Sequence, residues 1–259
     1  MSNFSSRYTV PEDRPVPESI LHILTVVDRV ATEQECPYVV VGATARDLLL
    51  FHVFGIPARR ATLDVDFAIA VESWDKFDRM RNALLATEFV ASKVEHRLYL
   101  KETDIPIDLI PFGGVAEDDT IAWPPARDTV MTVAGFQDAM AASIQVQVSP
   151  TLAVPVVSLA ALTILKIFAW EDRKTTDKDA VDLYRVISKY ADAGNEDRLY
   201  DPDSPHMEKF NYDPEPAGAP LAGEDSRMVS SAATITKLRT IVATVDFIDT
   251  LAERIRTSR

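Results

Sequence analysis

Three aspartates carry the chemistry this sequence offers. The stretch TLDVDFAIAV (62–71) sets Asp64 and Asp66 two residues apart, and PIDLIPF (106–112) sets Asp108 between Ile107 and Leu109. Side chains alternate along a strand, so Asp64 and Asp66 share one face while Leu63, Val65 and Phe67 share the other. Their Cβ atoms then lie roughly 7 Å apart, near enough for both carboxylates to reach one hard cation. An ordinary wet strand face would also accept them. Aspartate is a poor strand former, however, and Ile69, Ala70 and Val71 carry this strand towards the interior. Two like charges on such a face repel unless something positive neutralises them. Asp64, Asp66 and Asp108, on two strands, therefore make one candidate metal cluster. Mg²⁺ takes oxygen ligands and keeps positions for water and substrate phosphates. Two such ions, with Mn²⁺ as the alternative, would activate an attacking hydroxyl and screen a leaving pyrophosphate. Asp108 would help to deprotonate or position that hydroxyl.

Stepping along the chain shows what must position these groups. VVVGATARDLL (39–49) runs from a short β-branched strand through Gly42 into a helix, so backbone N–H groups at that turn point at an incoming anion. Gly42 and Ala43 let the backbone approach closely, and Thr44 offers a hydroxyl to a phosphate oxygen. Arg46, with Arg59 and Arg60, makes the following segment basic, suited to a phosphate or acceptor contact and equally to an exposed loop. Ile20, Ile23, Leu24, Val27 and Val30 recur at helical spacing upstream. Ser73 is placed to cap a helix over 74–89. Residues 96–101 and 105–113 read as an antiparallel hairpin, and 129–135, 143–149 and 152–158 as further strands.

From Ser158 the character changes. Residues 158–173 form a strongly apolar helix and 176–191 an amphipathic one. Residues 195–226 hold nine acids and five prolines against Arg198 and Lys209, which reads as a long acidic loop; 231–255 reads as one closing helix. The expectation is an α/β (α+β) domain over 1–157, a mixed β-sheet flanked by helices, followed by a helical domain over 158–259.

The order of these motifs resembles the nucleotidyltransferases of the DNA polymerase β superfamily. VVVGATARDLLL stands for their glycine turn, TLDVDFAI for their Asp-x-Asp strand and PIDLIPF for their later single carboxylate. LKIFAWEDRKTTDKDAVDL (165–183) resembles the second motif of the AbiEii/AbiGii toxin-type members, through Lys166, Arg173, Lys178, Asp179 and Asp182. The resemblance covers about 40–190. It implies a nucleotidyltransferase fold and Mg²⁺-dependent transfer of a nucleoside monophosphate from an NTP, ATP among them, to a hydroxyl, with release of pyrophosphate. The acceptor would be an RNA 3′ end such as that of tRNA, a protein hydroxyl or a small molecule. It implies a toxin of a toxin–antitoxin or phage-defence pair, with a cognate antitoxin as partner. Asp64, Asp66 and Asp108 would hold the metals and Gly42, Ala43 and Thr44 would touch the phosphates. Lys166 would neutralise the triphosphate, with Arg173 and Lys178 beside it. Asp179 and Asp182 belong to the same motif, and read from the residues alone are equally solvated helix acids. The chain departs from the family at Ala43, where Gly or Ser is usual, so Thr44 would stand in for the missing hydroxyl. The alternative is a nucleotide-binding partner module whose catalysis has lapsed.

Composition narrows the field. A formal charge of −13 repels polyanions and disfavours a general nucleic-acid coat protein. One cysteine, Cys36, excludes an internal disulfide. No run approaches 18 apolar residues without a charge, and the N-terminus lacks a secretory pattern, which points to the cytoplasm and away from membranes. His22, His52, His96 and His206 show no zinc-ligand spacing.

Overall fold

The computed structural model describes residues 7–57, 64–173 and 177–257. Arg59 and Arg60 lie outside the described residues. The chain divides into two compact units, Met1–Val157 and Ser158–Arg259.

Among the described residues of the first unit, ten strands follow one another: β1 (Arg7–Thr9), β2 (Tyr38–Val41), β3 (Val65–Val71), β4 (Phe89–Ala91), β5 (Arg97–Leu100), β6 (Pro106–Gly113), β7 (Thr120–Ala122), β8 (Val130–Thr132), β9 (Ser143–Ser149) and β10 (Leu152–Val157). Eight of them make one mixed sheet in the order β1-β9-β10-β2-β3-β6-β5-β4, while β7 and β8 form a separate ribbon. The strand expected over 129–135 shortens to β8 in that ribbon. β2 is buried along its whole length, as a central strand covered on both faces must be. β9 instead alternates, with Ile144, Val146 and Val148 inside. β3 runs parallel to β6, and β5 returns antiparallel beside β6.

Three longer elements brace the sheet. α1 (Glu18–Glu33) turns Ile23, Leu24, Val27 and Val30 inward. α2 (Gly42–Asp47) starts at the glycine itself and continues as a π-helical turn over Leu48–Val53. α3 (Trp74–Leu85) starts where the Ser73 hydroxyl accepts from the Lys76 N–H at 3.3 Å. α1 and α3 pack on each other and reach the sheet at β10 and β3. A short α4 (Phe136–Ala141) precedes β9.

The second unit is helical. α5 (Leu159–Asp172) is apolar nearly all round and forms its core, capped by Ser158 on the Ala161 N–H. α6 (Lys178–Ser188) is amphipathic. The acidic stretch 195–226 is not the long loop its composition suggested: it contains α7 (Glu196–Leu199), α8 (His206–Lys209) and most of α9 (Pro214–Val229). Three of its prolines, Pro205, Pro214 and Pro216, sit at helix starts, with Asp213 capping on the Glu215 N–H, while Pro220 lies inside α9. Gly218 brings α9 against backbone, since a Cβ there would stand 2.9 Å from the Ala191 nitrogen. Asp225 is buried between Tyr190, at 2.6 Å, and a bidentate Arg198, at 2.6 and 2.7 Å. The single closing helix expected over 231–255 is also broken, into α10 (Ala232–Val242) and α11 (Phe247–Thr257). Asp246 adopts φ 69° at the break, and Phe247 turns back to bury against Trp170 and Ala180. No helix among the described residues is long and apolar enough to cross a membrane.

Candidate active site

Sheet register assembles the first half of the site. At one level, Val41, Asp66, Asp108 and Arg97 are successive Cα partners across β2, β3, β6 and β5. Register partners on adjacent strands share a face about 4.8 Å apart, so Asp66 and Asp108 stand side by side. Asp64 lies one residue before β3 begins and, like Asp66, is half-buried.

The glycine turn is pressed onto this row. Gly42 takes φ +66°, and a Cβ there would meet the Asp66 Oδ2 at 1.9 Å. Only glycine fits both the conformation and the space. Thr44, expected to donate its hydroxyl to a phosphate, donates it instead to the Asp64 carbonyl at 2.6 Å and is buried. A hydroxyl has one proton to give, so Thr44 anchors the Asp64 backbone to α2. Ala43 is half-buried on the same turn. Arg46, a candidate phosphate contact from the sequence, is buried and paired with Asp47 at 2.7 Å.

Asp108 is buried, and its partner is one the sequence did not reveal. Arg97 Nε donates to Oδ1 and Nη2 to Oδ2, both at 2.7 Å. The hydrogen bond to Asp108 pushes the guanidinium pKa upward, so Arg97 stays charged. No three His, Cys, Asp or Glu side chains among the described residues are arranged to hold a metal ion together. The expected three-carboxylate cage is therefore two neighbouring acids and a third held by an arginine. The donor chemistry still fits a hard cation, because Asp64 and Asp66 offer only carboxylate oxygens from one strand and its entry.

Beside Arg97, burial pulls the His96 imidazole pKa below its ordinary value, partly opposed by the Asp108 charge. Its Nδ1 is buried without a hydrogen-bond partner. The ring packs on Trp123, 5.4 Å between centroids, which in turn packs on Trp74 and Phe77.

The remaining candidates lie in the second unit. Lys166 Nζ donates to Asp182 at 2.6 Å and to Asp179 at 3.0 Å, and all three side chains are buried. Asp179 and Asp182 are thus not the solvated acids expected. Burial acts to lower the Lys166 pKa, but the charges of Asp182 and Asp179 outweigh it and the net shift is upward. Arg173, at the end of α5 and largely exposed, donates to the second oxygen of Asp179 at 3.0 Å. Lys178 opens α6 and is exposed.

A glycine turn lying on an aspartate strand, with a second aspartate in register on the neighbouring strand of a mixed sheet, defines a nucleotidyltransferase. The chain belongs to the family of nucleotidyl transferase AbiEii toxins of type IV toxin–antitoxin systems, whose sequence pattern matches residues 25–217. Its chemistry is transfer of a nucleoside monophosphate. No curated protein matches the chain. Among solved structures it is similar to the antibiotic-resistance factor ANT(2″)-Ia, at 13% identity over 87% of this chain and 96% of that one, with a TM-score of 0.41. A nucleotidyltransferase-like protein from Paracoccidioides brasiliensis aligns at 18% identity over 86% and 94%, with a TM-score of 0.44. The Thermotoga maritima CCA-adding enzyme complexed with tRNA aligns at 13% over 94% and 74%, with a TM-score of 0.29. Superpositions this loose carry no argument about the site.

Proposed function

We propose that the protein is a cytoplasmic toxin that moves a nucleoside monophosphate from an NTP to the 3′ hydroxyl of an RNA such as tRNA, and that a cognate antitoxin restrains it. The observation that carries the reading is the register of Asp66 beside Asp108 with Gly42 pressed onto Asp66. In that reading Asp64 and Asp66 hold Mg²⁺, or Mn²⁺ in its place. The chemistry a bound divalent ion supplies is neutralisation of charge at the α-phosphate and the leaving pyrophosphate. The turn at Gly42 and Ala43 gives backbone N–H groups to phosphate oxygens. Asp108 accepts the proton of the acceptor hydroxyl as its oxygen bonds to the α-phosphorus and pyrophosphate departs. Lys166, kept cationic by Asp182 and Asp179, has two of its three N–H donors engaged and supplies charge to the triphosphate, with Arg173 and Lys178. The acidic chain limits the acceptor to a short contact such as an RNA terminus, because a long polyanion is repelled.

The test is to incubate the purified protein with each α-labelled NTP, Mg²⁺ and total RNA. Label should move to an RNA of tRNA size with wild type and fail to move with Asp64→Asn. Label appearing on protein instead would replace the RNA acceptor with a protein hydroxyl.

A further inference from the structure

In the arrangement seen here, Asp108 is committed to another partner. Arg97 takes both of its oxygens in a bidentate pair, the strongest and most directional of ion-pair geometries. Both residues sit on strands and are Cα partners, so the pairing is set by sheet register and not by a loose loop. The two side chains differ in their surroundings: Asp108 is 12% exposed and Arg97 31%. The carboxylate is fixed in the sheet, while the guanidinium end is the wetter partner and has solvent to move into. The next strand over carries Asp66, so the oxygens Arg97 holds lie beside the group proposed to bind a cation.

We infer that Arg97 is a positioning residue that acts as a latch on Asp108. This rests on the proposed cation-binding role of Asp64 and Asp66. Without substrate the guanidinium neutralises Asp108 and relieves its repulsion with Asp66. A divalent ion held by Asp64 and Asp66 would supply positive charge in place of the guanidinium, so Arg97 could leave and Asp108 could meet the acceptor hydroxyl. The competition ties completion of the site to the arrival of cation and nucleotide together. It also means that Arg97 weakens the affinity of the bare enzyme for divalent ions.

Mn²⁺ binding, read from the free-ion paramagnetic resonance signal in the absence of nucleotide, tests this directly. Arg97→Met should bind Mn²⁺ about tenfold more tightly than wild type, since a positive charge beside the site is gone. Arg97→Lys, which keeps the charge but not the fork, should fall between. The gain should vanish when Asp108→Asn is added to Arg97→Met. Should Arg97→Met fail to fold, Arg97→Gln carries the same expectation. Affinity unchanged in the Arg97 variants, while Asp66→Asn still abolishes binding, would overturn the latch and leave the metal site standing. Mn²⁺ binding absent from wild type and every Arg97 variant would overturn the metal site and the latch with it.

Discussion

The two units each bury a cluster of charge, and the clusters are built on opposite plans. In the sheet, Asp108 is held by the Arg97 guanidinium with Asp66 beside it in register, and Asp64 and Asp66 at the strand entry are half-buried. In the helical unit one ammonium lies between Asp179 and Asp182, with Arg173 on the outer oxygen, and the inner three side chains are buried. The first arrangement sets two half-buried acids at a partly wet edge, where the proposed cation would bind. The second balances its own charges, so its first consequence is to hold α5 against α6 with Lys166 permanently positive. A buried pair is costly to break and adds little if replaced whole. On the sheet, Asp108 is answered by Arg97, while Asp64 and Asp66 are only half-buried and keep access to a ligand.

Substitutions that break each cluster separate these plans. Among substitutions that leave the charges in place, Gly42→Ala should have the largest effect on catalysis, because the new methyl group collides with the Asp66 carboxylate and φ +66° is strained for alanine. Displacing Asp66 by even about 1 Å should lower kcat/KM by about 100-fold or more. Steady-state kinetics on protein shown folded by circular dichroism checks this. Lys166→Met should strike stability first, costing about 3–5 kcal/mol in urea unfolding because two buried carboxylates lose their cation. Adding Asp179→Asn and Asp182→Asn should recover most of that loss but not transfer, if Lys166 also serves the triphosphate. The same comparison has a pH signature. The folded Lys166 pKa lies above 10.5, so its contribution is complete below that value and fades as pH climbs through the folded pKa. Wild type should therefore lose stability above about pH 10.5 and the triple variant much less of it. His96 gives the smallest effect. Its folded pKa is depressed below 6.5, so the unfolded chain takes up the proton first and stability should decline as pH falls below 6.5. His96→Phe should flatten that decline in thermal melts collected between pH 7 and about 5.

What the sequence showed and hid follows from the range of each signal. Local signals survived: Ser73 and Ser158 cap the helices they precede, and β5 and β6 pair as two close strands should. The mixed α/β fold and the nucleotidyltransferase class were legible because the glycine turn and the aspartate strands are contiguous motifs. Arg97 was invisible because nothing marks an arginine at a strand start until antiparallel register sets it opposite Asp108. The role of Thr44 was misread for the same reason, since its acceptor is the backbone of a residue twenty positions away. In 195–226, composition argued for a loop, yet Asp225 finds Arg198 and Tyr190, and Pro205, Pro214 and Pro216 sit at helix starts. Long-range partners turned an acidic stretch into packed helices. The closing helix broke at Asp246 because burying Phe247 against Trp170 outweighed continuing a run of weak helix formers.

The most direct test of the account is label transfer by Asp66→Asn, which removes one charge and keeps the shape. With fold verified and each α-labelled NTP supplied with Mg²⁺ and RNA, transfer should drop by about 1,000-fold or more relative to wild type. Transfer by the variant at the wild-type rate would contradict a reaction centred on the carboxylate row of the sheet.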